Sequence, residues 1–336
     1  MAGLLLAACG GTKTGSNAGS AEELAAAPGV PTFVADSAYE FCKQQCDFGP
    51  RTMNSAAHDR CGQWIADKFG QFGMEVELQR ATLRGYDGTP LQSTNITARY
   101  KPELRQRVLL CAHWDSRPWA DNDPDASNHR TPVMAANDGA SGVAVMLEVA
   151  RLIAADTLAV GVDFVCFDAE DWGTPQWETN SGNNDGDTWA LGAQYWAEQW
   201  RTARQADDSS TDGSAVSMRY GILLDMVGGE GARFYQEQVS LMFAPSVVSR
   251  VWAAAHAAGY GSFFVKEEGN GITDDHVPVN RVAGIPCIDI IAYYPDCEAS
   301  SFGPTWHTVN DTMEHIDRST LEAVGQTLLH VLYAER

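Results

Sequence analysis

The chain lacks any apolar run approaching the ~20 residues a transmembrane helix requires, so no segment is expected to cross a bilayer as a helix. Positive charge is scarce: Lys and Arg number 23 against 44 Asp and Glu, a formal net charge of −21. A surface of that sign repels phosphate backbones and anionic headgroups, which argues against nucleic-acid binding. No Cys-x-x-Cys pair occurs, so a cysteine zinc site is not indicated. No Gly-x-Ser-x-Gly elbow occurs either, which disfavours a serine hydrolase. From Phe33 onward there is no second linker, repeat or low-complexity block.

What is present is a globular composition, with 44% hydrophobic residues in 336 and room for a full core. Leu4-Leu5-Leu6-Ala7-Ala8-Cys9 is an apolar stretch ending in small residues and a cysteine. It resembles a bacterial lipoprotein signal, residues 1–8 being the signal remnant and Cys9 the lipidated thiol. Residues 9–32, rich in Gly, Ser, Thr and Ala, read as a flexible tether. The expected location is the bacterial cell envelope, anchored by lipid and facing the periplasm, with no other membrane contact. With Cys9 lipidated, an odd number of the eight cysteines remains. Cys42, Cys46 and Cys61 cluster and could include one bridge in an oxidising compartment. Cys111 and Cys166 lie in apolar strand patterns and read as buried thiols.

Periodicity places one domain over 33–336. Helices are expected at Ala57–Phe72, Gly142–Ala155, Leu191–Trp200, Ser246–Ala258 and Ser319–Tyr333. Strands are expected at Met74–Ala81, Asn95–Tyr100, Val108–Ala112, Val162–Phe167, Tyr220–Met226 and Pro286–Ala292. The short continuous apolar run Val162–Phe167 suits a strand covered on both faces. The alternation implies an α/β fold: a mixed, mostly parallel central sheet sandwiched by helices. Such folds place their chemistry at the carboxyl ends of the strands.

The polar motifs fall there. His113-Trp114-Asp115 follows one strand and Asn137-Asp138-Gly139-Ala140-Ser141-Gly142 opens the strongest helix. Asp168-Ala169-Glu170-Asp171 ends another strand and Asp225 a third, while Asp274-Asp275-His276 and Trp306-His307-Thr308 flank the last strand. Singly, each has an ordinary explanation. His-x-Asp after a strand is commonly structural, an Asp before Gly at a helix start is commonly a cap, and adjacent acids are commonly a solvated pair. Glu170-Asp171, however, ends an apolar strand, where burial is costly without a metal or other partner. Together these segments supply the imidazoles and carboxylates that zinc takes as ligands, and Glu170 beside them is free to move protons.

The ordered set resembles the zinc aminopeptidase family from about Phe33 to the C-terminus, and within it the glutaminyl-peptide cyclotransferase branch. Trp306 directly before His307, the sequence Asp274-Asp275-His276-Val277-Pro278, and the aromatics Phe302 and Trp177 carry that finer likeness. Trp172-Gly173 after the acidic pair is similar to bacterial members, and Asp171 stands where animal members carry Glu. The resemblance implies one zinc held by Asp138, Asp171 and His307, with Glu170 as proton shuttle. Asp225 and Asp274 become acidic partners of that shuttle and the substrate amine. Trp177, Phe302 and Trp306 become a pocket for a glutamine side chain. His113, Asp115 and Asp225 are left as possible ligands or supports of a second zinc. The implied reaction converts N-terminal glutamine of peptides or proteins to pyroglutamate with release of ammonia. One alternative is a dinuclear zinc aminopeptidase on the same scaffold; a remote one is a non-catalytic peptide-binding lipoprotein.

Overall fold

The central strands are buried on both faces because successive residues feed two different cores. In the computed structural model, which describes residues 29–178, 188–208 and 216–335, β3 (Gln106–His113) is buried from its second residue to its last. Val108, Leu110 and Ala112 join the larger core, whereas Leu109 and Cys111 join a second core on the opposite face. A strand shared by two cores has no polar face, which is why its sequence reads as a run and not an alternation.

Eight strands and eight helices are labelled here in chain order. The first helices are α1 (Ala35–Cys46) and α2 (Ala56–Gln71), and β1 (Glu75–Arg84) and β2 (Pro90–Tyr100) form a hairpin before β3. Then come α3 (Ala140–Ile153), β4 (Gly161–Phe167), α4 (Leu191–Asp208) and β5 (Ser217–Asp225). The remainder is β6 (Phe234–Gln236), α5 (Gln238–Phe243), α6 (Pro245–Ala257), β7 (Phe264–Glu268), α7 (His276–Arg281), β8 (Cys287–Ile291) and α8 (Arg318–Tyr333). The main sheet has the order β1-β2-β4-β3-β5-β8. β4, β3, β5 and β8 pair in parallel, and β2 is antiparallel to both β1 and β4. β6 and β7 make a small separate sheet. α1, α3, α6 and α8 pack together over the larger core, and α4 and α7 cover the other face.

The expected α/β architecture is therefore present, and each expected element exists with shifted ends. β2 begins at Pro90 because the turn at Gly85–Thr89 pairs it along the whole of β1. Helix α1, the small sheet and the short helices α5 and α7 were not anticipated. The signal, Cys9 and most of the tether lie outside the described residues. Among the described residues no helix is long and apolar enough to cross a membrane.

One expectation is corrected. Cys42, Cys46 and Cys61 are free, buried thiols, and no disulfide links the described residues. Cys42 and Cys46 lie one turn apart on α1, and the Cys42 thiol donates to Ala136 O at 3.1 Å. Cys111 and Cys166 are buried thiols as expected.

Candidate active site

The carboxyl ends of β3, β4 and β5 lie side by side in the sheet, and each ends in or runs into a candidate residue. β3 ends on His113 and β5 on Asp225. β4 runs through Asp168 into Ala169, which has left-handed backbone (φ 55°) directly before Glu170 and Asp171. Met226, directly after Asp225, is likewise left-handed (φ 51°), and His307 itself sits at φ 54°. Left-handed backbone at non-glycine residues is costly and persists where the surroundings dictate it, commonly at functional sites.

Asp138 comes from the turn before α3. It is not the helix cap: that position is Gly139, with no side-chain cap. Gly139 (φ 105°) is needed for space as well, since a Cβ there would lie 2.7 Å from Asp115 O. The Asp138 backbone is held by Asp311, whose carboxylate accepts from Asn137 N at 2.8 Å and Asp138 N at 3.0 Å. Gly142 lets α3 press onto β5, because a Cβ would meet Leu224 O at 2.2 Å, immediately before Asp225.

These residues converge as two groups sharing Asp138. His113 Nε2 lies 3.0 Å from Asp138 Oδ1 and 3.3 Å from Asp225 Oδ1. His307 Nε2 lies 3.5 Å from Asp138 Oδ2 and 3.2 Å from Asp171 Oδ1. Each Asp138 oxygen thus faces a different imidazole. Tetrahedral zinc with bonds of ~2.0–2.2 Å sets its ligand atoms ~3.3–3.6 Å apart, and these separations are within a few tenths of an ångström of that. Both oxygens of Asp171 are buried with no hydrogen-bond partner, which is expensive for a carboxylate unless a cation satisfies them. The residues present fit zinc. A third group, Asp274, His276 and Asp289, is buried as well, with His276 Nε2 3.3 Å from Glu237.

The concentration of buried charge shows in the ionisation of the groups. Burial and the neighbouring Asp171 charge push Asp138 up to about 7. Burial, then Asp171, hold Glu170 well above the usual carboxylate range. Burial and Asp225 raise Asp274 to about 6. For His307, burial opposes the charge, yet Asp171 and Asp121 outweigh it and carry the imidazole up to about 9. A site of this kind attracts cations.

Supports surround the ligands. Asp115 accepts from the amides of Glu170 and Asp171, both at 3.1 Å, and lies 3.5 Å from His113 Nδ1. Of the expected aromatics, Trp306 lies nearly parallel to His307 with ring centres 3.8 Å apart, and Phe302 packs on Trp306 at 4.8 Å. Phe302 also lines a cavity of about 130 Å³ with Asn137, Glu230, Tyr294 and His315. Trp177 is stacked on Trp119 at 6.1 Å under the Arg130 guanidinium. Its neighbour Gln176 is linked to Trp306 through Asn122, which accepts from Gln176 Nε2 at 3.1 Å and donates to Trp306 O at 3.2 Å.

Sequence reasoning missed Arg117, Asp121, Asp311, Glu237 and Asp289. All are buried. For the first two a signal existed: a segment after a strand, Asp115 to Asp121, that mixes both charge signs with tryptophan.

A glutaminyl cyclase from Bacteroides thetaiotaomicron, solved with N-acetylhistamine, is similar at 49% identity and a TM-score of 0.84, over 91% of this chain and 99% of that one. A structure described as a leucine aminopeptidase precursor from the same organism is also 49% identical, with a TM-score of 0.82 and the same coverage. Aminopeptidase YwaD of Bacillus subtilis (strain 168) is 26% identical over 265 residues, 77% of this chain, and the chain spans only 48% of that protein's length. The profile of peptidase family M28 matches residues 95–332, from within β2 almost to the end of α8, and so takes in every candidate ligand. With that span matched and a zinc-compatible ligand set at the strand ends, the chain belongs to peptidase family M28 and is a zinc-dependent enzyme.

Proposed function

We propose that the protein is a glutaminyl-peptide cyclotransferase, acting on peptides or proteins with N-terminal glutamine. The observation that carries this reading is the aromatic wall at the ligand set, Trp306 against His307 with Phe302 against Trp306. A planar side-chain amide folded back toward its own α-amine loses rotor entropy, and such a wall limits that loss by holding the amide in place. Asp138, Asp171 and His307 would hold the zinc, which when bound would polarise the side-chain amide carbonyl. Glu170 accepts a proton from the α-amine as its nitrogen bonds to the amide carbon. It returns that proton to the departing nitrogen, which leaves as ammonia. Asp225 and Asp274 would hold the amine and Glu170 in place. The nucleophile belongs to the substrate, so no water needs activation.

A second reading, a dinuclear aminopeptidase, is favoured by one observation: His113, Asp138 and Asp225 complete a second three-ligand group. Peptide hydrolysis uses an activated water, which two metals generate well. The two readings separate in one assay. Purified enzyme given a Gln-initiated dipeptide is expected to release ammonia and leave the peptide bond intact, and to release no free leucine from a Leu-initiated peptide. Trp306→Ala is expected to slow the first reaction while zinc content stays nearly unchanged. Steady leucine release without ammonia, with two zinc ions per chain both needed for activity, would establish the peptidase instead.

A further inference from the structure

Arg117 is wholly buried behind the ligand set. Its Nε and Nη2 donate to the two oxygens of Asp121 at 3.1 and 2.6 Å. Its Nη1 donates to Asp171 O and Gly173 O, both at 3.0 Å. Asp121 Oδ1 in turn lies 3.5 Å from His307 Nδ1, the ring nitrogen that does not face Asp138 and Asp171. The guanidinium also lies over Trp189 at 4.6 Å, and Trp189 is parallel to the His307 ring within 8° at 6.0 Å. A buried guanidinium is costly unless its donors are satisfied. Here they are used on one carboxylate and on carbonyls at and beside a ligand.

We propose that Arg117 and Asp121 are positioning residues of the metal centre. Arg117 fixes the plane of Asp121 through a two-point fork that lysine cannot reproduce. Asp121 draws the proton of His307 to Nδ1, which leaves the Nε2 lone pair directed at Asp138 and Asp171, the tautomer a metal ligand requires. The same guanidinium anchors the backbone at Asp171, so one side chain sets the relation between two of the three ligands. Asp115 plays the matching part for His113, but amides hold it where an arginine holds Asp121. The inference rests on zinc binding at Asp138, Asp171 and His307, and not on which reaction follows.

The test uses the full-length enzyme and the variants Arg117→Met, Arg117→Lys and Asp121→Asn. Zinc affinity is read by competition with a chromophoric chelator, and ligand geometry by the visible spectrum of the Co²⁺-substituted protein. Zinc affinity is expected to fall ~10–100-fold in Arg117→Met and Asp121→Asn, with displaced Co²⁺ bands. Arg117→Lys should recover part of the affinity, since the charge returns without the fork. If Arg117→Met does not fold, the isosteric Asp121→Asn decides alone. Affinity within about threefold of the parent in Asp121→Asn, well below the expected change, with an unchanged Co²⁺ spectrum, would overturn the proposal. Both readouts are taken without substrate, so a failure of the cyclase reading leaves them intact.

Discussion

At the scale of single residues, the site is governed by what backbone turns do to neighbouring carboxylates. Glu170 and Asp171 are adjacent, yet the left-handed Ala169 and the two amide bonds to Asp115 give them separate tasks. Asp171 faces His307 with its oxygens otherwise unsatisfied, whereas Glu170 belongs to neither ligand group. Glu170→Gln keeps shape and volume but cannot accept a proton. Its fold and zinc content are expected to match the parent while turnover on a Gln-initiated peptide falls by ~10²–10⁴-fold. A variant with metal intact and near-normal turnover would move the shuttle to another acid, Asp274 first.

At the scale of elements, short helices matter more than their length suggests. α5 is capped by Glu237, whose side chain accepts from Val239 N at 2.7 Å, Ser240 N at 2.6 Å and, across the loop, Ile272 N at 3.0 Å. His276 at the start of α7 lies 3.3 Å from the same carboxylate. Burial pushes the Glu237 carboxyl up, but His276, Ser240 and the amides outweigh it and bring it down to about 2. A folded value below the unfolded ~4.3 means that ionised Glu237 stabilises the fold at neutral pH. That contribution is lost as the pH falls from about 4.3 through about 2. Glu237→Gln should therefore lower stability at pH 7 by ~2–3 kcal/mol. Urea unfolding should show the gap to the parent narrowing at pH 3, and an equal gap at both values would contradict the assignment. The longer helices show the opposite dependence on sequence. α3 was legible because its apolar residues recur at helical spacing, and its close approach to β5 was already encoded at Gly142.

At the scale of the whole molecule, the excess of acid is distributed between the buried site, where a bound cation would offset it, and the surface. The tether and Cys9 lie outside the described residues, and the anchor is a proposal that growth with a labelled fatty acid can test. The parent protein is expected to take up label and sediment with membranes, and Cys9→Ser to do neither; an unlabelled parent would discard the anchor. The sequence by itself determined the α/β alternation and the residues at the strand ends. Both follow from local rules, since a strand with two buried faces must read as an apolar run and a parallel sheet must gather its loops at one edge. It also supplied the chemical types of the ligands, and the motif resemblance supplied the zinc. Only the tertiary structure decided that Asp138 turns one oxygen to each imidazole, that Trp177 stacks on Trp119, and that Cys42 and Cys46 stay thiols. It alone brought Arg117, Asp121 and Asp311 behind the ligands. Those facts depend on contacts between residues far apart in the chain, Asp121 with His307 and Asp311 with Asp138. Such pairings have no period or spacing, and they exist only once the sheet has set its edges in register.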